Sequence, residues 1–150
     1  MQSGLARAVL RWRHSLHATR LRRRAGAGVR RLTPVPRTPD DWPVADYSHT
    51  AEQFLEGLGD TIADALQERT GSEVEYSQGV LTVRLGEGGT LVLNTQTPNR
   101  QIWFSSPVSG PSRYFLDTET GNWICTRDSQ ELCKRLRHDL RALTGIEVNV

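Results

Sequence analysis

Glu73-Val-Glu-Tyr-Ser-Gln-Gly-Val-Leu-Thr-Val-Arg-Leu-Gly-Glu-Gly-Gly-Thr-Leu-Val-Leu-Asn94 alternates apolar and polar residues and is broken at Gly79 and at the Gly86-to-Gly89 run. A period of two punctuated by glycine predicts half-buried strands joined by tight turns, here over 73–77, 80–85 and 90–94. The same pattern continues over 101–105, 113–115 and 123–126, with Pro98-Asn99, Gly110-Pro111 and Gly121-Asn122 supplying the reversals. Consecutive strands with short connections read as an antiparallel meander.

On both sides of the meander the period changes to that of a helix. From Asp46 to Thr70, residues Ala51, Phe54, Leu55, Leu58, Ile62, Ala65 and Leu66 fall in one sector. After the last strand, Asp128 and Glu131 have capping-box spacing, Leu132, Leu136, Leu140 and Leu143 form a stripe, and Gly145 ends it. Helix, strands, helix implies an α+β fold: a two-layer α-β sandwich, an antiparallel sheet of about five to six strands with both helices packed on one face. The other face meets solvent. Alternation then turns Ile102 and Phe104 toward the helices and leaves Gln101, Trp103 and Ser105 on the open face, where Arg113 can join them. An outward Trp is a candidate interface anchor. Beside it, Asn94-Thr-Gln-Thr-Pro-Asn-Arg100 is a polar loop stiffened by Pro98.

The first helix also carries Glu52, Glu56, Asp60, Asp64 and Glu68 every four residues, opposite its apolar sector. Like charges at this spacing destabilise a helix by a few tenths of a kcal/mol per pair. No cation interleaves before Arg69, and Glu73 and Glu75 follow. A solvated face explains many charge runs, but this one lacks the alternating signs that such faces usually show. It suits a basic partner or a weakly held hard cation, because no cage of six or more oxygens is evident. His49 can add a nitrogen one turn before Glu52.

Charge divides the 150-residue chain sharply. Residues 1–39 hold ten Arg, no Lys and no acid, whereas 40–150 hold nine basic and seventeen acidic residues, a net −8. The folded part therefore repels phosphate, which argues against a nucleic-acid partner. In the first segment Leu5, Val9, Trp12 and Leu16 make an apolar stripe with Arg7 and Arg11 behind it, and Pro34, Pro36 and Pro39 follow an Arg-rich run. This is the pattern of a mitochondrial transit peptide and Pro-rich linker, expected over 1–41 with cleavage at about 30–42. A basic nucleic-acid arm and a plastid leader are the rival readings. No stretch approaches the ~18 apolar residues of a membrane span. Cys125 and Cys133 lack metal or redox spacing and are expected as free thiols, and His49 and His138 lie beside no catalytic motif.

Gly79-Val-Leu-Thr-Val-Arg-Leu85, the block Asn94-Thr-Gln-Thr-Pro-Asn-Arg-Gln-Ile-Trp103-Phe-Ser-Ser-Pro-Val-Ser-Gly-Pro-Ser-Arg-Tyr114 and Asn122-Trp123 closely resemble the frataxin family. The resemblance covers about 45–145 and marks 42–150 as a frataxin-like domain. It implies a mitochondrial matrix protein that binds Fe²⁺ weakly and activates iron–sulfur cluster assembly on a cysteine desulfurase–scaffold complex. By position, it assigns iron to Glu52, Glu56, Asp60, Asp64, Glu68, Glu73 and Glu75. It assigns the partner surface to Asn94, Gln96, Pro98, Asn99, Arg100, Gln101, Trp103 and Arg113. A monomer that oligomerises with iron is the expected state. The sequence runs only a few residues past the second helix, so no long stabilising C-terminal tail is expected. Two alternatives stand beside this reading. One is a ferroxidase and iron store, although no Glu-x-x-His of a diiron site occurs. The other is a metal-independent acidic adaptor.

Overall fold

The computed structural model describes residues 42–150. The segment expected to be a transit peptide and linker, 1–41, lies outside the described residues. Helix α1 spans Val44–Leu66, followed by β1 (Glu73–Ser77), β2 (Val80–Arg84), β3 (Thr90–Gln96), β4 (Gln101–Ser106), β5 (Gly110–Asp117), β6 (Asn122–Cys125) and α2 (Leu132–Thr144). The strands form one six-stranded antiparallel sheet whose order in space is their order in the chain. The first reversal shows why glycine is needed. Gln78 and Gly79 have φ of 49° and 77°, the two left-handed residues of a type I′ hairpin, and a Cβ on Gly79 would stand 2.5 Å from Thr95 Oγ1.

The two helices cover one face of this sheet. Tyr47, Ala51, Leu55, Leu58, Ile62 and Leu66 of α1 and Leu132, Leu136 and Leu140 of α2 are buried. They share a core with Leu81, Val83, Leu91, Leu93, Ile102, Phe104, Tyr114, Leu116, Trp123 and Cys125. Every second residue of each strand thus points inward, as alternation requires. Each large aliphatic side chain buried in this way contributes about 1.5–3 kcal/mol. Beyond Gly145, whose left-handed φ of 73° closes α2, the chain turns back so that Val148 is buried in the same core. The Arg137 guanidinium donates to the Val150 carbonyl at 2.5 Å. The short tail is therefore tucked in. Among the described residues no helix is long and apolar enough to cross a membrane.

Three helix boundaries differ from the sequence pattern, and several strand ends shift by one to three residues. Helix α1 starts two residues early, at Val44, because the Pro43 carbonyl already accepts from Tyr47 N–H. It also ends at Leu66, which leaves Glu68 in the following turn. The Asp128/Glu131 capping box does not form. The chain pairs once more before α2, as Ile124 bridges Glu131 and Cys125 N–H reaches the Gln130 carbonyl, so the helix opens only at Leu132. Asp128 instead accepts from Gln130 N–H and pairs with Arg135, itself nine-tenths buried.

That pair makes the turn before α2 acid-sensitive. The Arg135 guanidinium, and after it the Cys125 thiol, hold the Asp128 carboxyl down at about 2, from an ordinary 3.8. A depressed carboxylate stabilises the fold above its unfolded pKa and loses that contribution as pH falls through the folded value. Wild type should therefore surrender this stability between about pH 4 and pH 2. Asp128 is half-exposed, so the effect is solvent-screened and smaller than the shift alone implies. Urea unfolding of wild type and Asp128→Asn should show a lower midpoint for the variant at neutral pH, with the two midpoints converging toward pH 2. A constant gap across that range would mean that Asp128 acts without its charge.

Candidate functional site

Two separate surfaces emerge. On α1, Glu52, Glu56, Asp60 and Asp64 are exposed along the side away from the core, Glu68 continues them in the next turn, and His49 is exposed one turn earlier. Among the described residues none of these five acids forms an ion pair. Glu73 and Glu75 stand differently. They project from the open side of β1, where Arg84 of the neighbouring strand reaches them at 2.9 and 3.4 Å. The ridge and β1 adjoin at Tyr76, whose phenol is pushed up first by burial and then by the charges of Glu52 and Glu56. Among the described residues no three His, Cys, Asp or Glu side chains converge as a metal cage. The ridge is a line of separate carboxylates, a geometry for weak, outer-surface contact with a cation or a basic protein.

The second surface lies on the helix-free face of the sheet. Strand register places Ser77, Val80, Asn94, Trp103 and Arg113 in one row across five strands, with Gln96, Gln101, Phe115 and Ile124 in the row beside it. Trp103 is half-buried and fixed from two sides. Its Nε1 donates to Gln101 Oε1 at 3.1 Å, and the Arg113 guanidinium lies 4.5 Å from its ring centre. Such a cation–π contact is worth about 0.5–1 kcal/mol at an exposed position. Phe115 is buried although it sits on this open side, an apolar floor that the strand pattern did not single out. Pro98 and Asn99 are exposed in a 3₁₀ turn, Thr97–Asn99. Arg100 turns back on the domain, its Nε donating to the Trp42 carbonyl at 2.7 Å.

Tyr47 carries weight that the sequence reading did not assign to it. Its hydroxyl donates to the Gln101 carbonyl at 2.5 Å and accepts from Gln96 N–H at 3.0 Å, tying together the two residues that flank the 97–100 turn. Burial first of all pushes this phenol up to about 12, so it remains a donor at any working pH. The apolar stripe of α1, followed one turn further back from Ala51, would have found it. Trp42, packed edge-on to Tyr47 at 6.0 Å, gives no comparable signal.

Elsewhere, buried Asp139 accepts from Ser109 Oγ at 2.6 Å and lies 3.1 Å from His138 Nδ1. Serine and histidine both meet the carboxylate, so this is a tie between the β4–β5 turn and α2 rather than a nucleophile–base relay. Cys125 is buried and Cys133 half-buried, and the two are not joined in a disulfide.

A six-stranded meander backed by two helices, with an acidic helix on one side and a tryptophan-centred sheet patch on the other, defines a small α-β sandwich with two chemically distinct surfaces. Residues 40–146 match the family described as Frataxin-like domain, and the chain belongs to the frataxin family. It is 45% identical over 98 residues to the mitochondrial frataxin of Arabidopsis thaliana, covering 65% of this chain and 49% of that one. It is 43% identical over 89 residues to the mitochondrial frataxin homolog of Schizosaccharomyces pombe, covering 58% and 56%. The chain thus spans about half the length of these curated relatives. Among solved structures it is similar to a trimeric frataxin from Saccharomyces cerevisiae complexed with ferrous iron, at 33% identity and a TM-score of 0.58 over 64% of this chain and 86% of that one. The protein is mitochondrial, as these relatives are.

Removing the Tyr47 hydroxyl should loosen the turn while keeping the ring. Tyr47→Phe leaves a buried N–H and carbonyl short of a partner, a loss of about 1–3 kcal/mol. Chemical denaturation should show a lower midpoint at unchanged slope. An unchanged midpoint would remove Tyr47 from this role.

Proposed function

We propose that this protein is an iron-binding activator of iron–sulfur cluster assembly in the mitochondrial matrix, working as domain 42–150 once a leader of about 41 residues is removed. It docks on a cysteine desulfurase–scaffold complex and stimulates sulfur transfer. The observation that carries this reading is the row Asn94–Trp103–Arg113 on the uncovered sheet face, with its ring held by Gln101 and Arg113. An aromatic anchor flanked by arginine and fixed before contact is the composition of an interface hot spot, because little side-chain freedom is lost on docking. Gln96, Pro98 and Asn99 complete the patch, with Arg100 behind their turn. No nucleophile of the protein's own is required; stimulation comes from favouring the partner's active arrangement.

The ridge of Glu52, Glu56, Asp60, Asp64 and Glu68, with Glu73, Glu75 and His49 beside it, takes Fe²⁺ as cargo and attracts basic surfaces of the partner. Its separate carboxylates support weak, poorly selective binding. Association should accordingly slow as salt rises past physiological strength. The ferrous complex of the yeast trimer favours iron as the cation, and a monomer that assembles further when iron is bound completes the proposal.

The same exposed carboxylates support a second reading, ferroxidase with iron storage, in which dioxygen oxidises iron held on the ridge. Fe²⁺ oxidation should then slow at least severalfold in a Glu52/Glu56/Asp60/Asp64→Ala variant; equal rates would leave oxidation without a site here. Anaerobic calorimetric titration of Fe²⁺ should give saturable heat with wild type and little with that variant. No heat from wild type would reduce the ridge to a metal-independent adaptor surface. For the sheet patch the measurement is persulfide transfer and sulfide release by a desulfurase–scaffold complex with this protein added. Trp103→Ala should lose stimulation by roughly tenfold or more, whereas full stimulation by that variant would dismiss the patch.

A further inference from the structure

Among the described patch residues, Arg100 alone has a left-handed backbone, with φ 50° and ψ 45°. There the Cβ crowds the following carbonyl, and glycine or asparagine usually takes such a position. An arginine stays there only if its surroundings over-determine it, and strain of this kind gathers where geometry matters to function. Three fastenings do so. Arg100 N–H reaches the Thr97 carbonyl at 3.2 Å, its Nε reaches the Trp42 carbonyl at 2.7 Å, and the Tyr47 hydroxyl clasps Gln96 and Gln101 on either side. Two of the three come from Trp42, just before α1, and Tyr47, in its first turn, about fifty residues or more away in sequence. The Trp42 ring stands edge-on to Tyr47, with an interplanar angle of 86°, so the same short segment braces the clasp.

Resting on the docking role of the sheet patch, we propose that Trp42 and Arg100 are positioning residues, a latch that holds the 97–100 turn in its docking shape. The domain then docks at full strength only while Trp42 remains attached to it, and processing of the preceding segment has to stop before residue 42. The sequence pattern allowed a cut anywhere in about 30–42; the latch removes the far end of that interval. Without it, Arg100 relaxes out of the left-handed region and Pro98 and Asn99 move relative to Trp103, which stays fixed by its own partners. Arg100 therefore acts through the turn, not by reaching a partner itself.

Full-length Trp42→Ala, Arg100→Gly and Arg100→Lys test this with two readouts. The first is amide hydrogen exchange of residues 97–101 in the free protein. The second is the concentration dependence of stimulation on a desulfurase–scaffold complex. Glycine suits a φ of 50° better than arginine, so Arg100→Gly relieves the backbone and removes only the latch. Exchange in the turn should quicken by roughly tenfold in Arg100→Gly, and by less in Trp42→Ala, which keeps the accepting main-chain carbonyl and removes only the ring that braces the clasp. The half-saturating concentration should rise by a similar factor at an unchanged maximum, and Arg100→Lys, which keeps one donor, should recover most of it. The double variant Trp42→Ala/Arg100→Gly should be no weaker than the worse single one, as for two parts of one device. Weak docking by Arg100→Gly with exchange of residues 97–101 unchanged would overturn the proposal in favour of direct contact by Arg100. Unchanged exchange in both would overturn the latch. If wild type itself fails to stimulate the complex while the variants exchange faster, the docking role fails and takes the proposal with it, leaving the latch a property of the free fold.

Discussion

Residues 42–150 have six strands to shield and two helices to shield them with. Both helices lie on the same side, so one face of the sheet is closed by aliphatic side chains and the other must be made compatible with water by its own residues. That asymmetry organises everything else. Inward positions are Leu, Val, Ile, Phe and Tyr, while outward positions carry Glu73, Glu75, Thr82, Arg84, Asn94, Gln101 and Arg113. Trp103 and Phe115 are the large rings on that side, and Trp103, half-buried, is steadied by an arginine and a glutamine. Because register is set by the buried side, the row through Trp103 is as rigid as the core beneath it.

The two contact faces are supported by different physics. The sheet patch depends on packing and hydrogen bonds of fixed geometry, which salt hardly touches. The acidic ridge depends on field strength, since its carboxylates are exposed and form no ion pair among the described residues, and ionic strength weakens it directly. A helix of this charge is held by its apolar side: Ala51, Leu55, Leu58, Ile62 and Leu66 anchor α1 firmly enough to tolerate repulsion along its back. Glu73 and Glu75, which share Arg84, contribute less unbalanced charge than their place in the sequence suggests.

Local periodicity carried most of the architecture. The two apolar stripes gave the helices, alternation gave the strands, and the single step from Phe104 back to Trp103 gave the outward ring before any coordinates. Failures occurred where distant segments compete with local preference. Asp128 and Glu131 have the right spacing for a helix cap, yet the extra pairing of Ile124 with Glu131 keeps the chain extended past both. Arg100 lies among patch residues in sequence, yet its guanidinium is spent on a carbonyl from the other end of the domain. Tyr47 could be read as core from its spacing, but no local pattern tells that its hydroxyl fastens two strands. Val148 follows a helix-ending glycine and gave no sign of returning to the core.

The order of strands in space, identical to their order along the chain, bears on how quickly the domain can assemble. Each strand pairs only with its immediate predecessor and successor, so every hairpin closes a short loop and the sheet can grow by successive local steps. The slow, long-range part is the seating of α1, whose apolar side stays unsatisfied until β1, β2 and β3 have formed. In a chain that emerges N-terminus first, α1 is therefore the earliest available of the described elements and among the last to be protected. Its carboxylates then serve a second purpose, keeping that waiting helix soluble and apart from its neighbours until the sheet arrives to receive it.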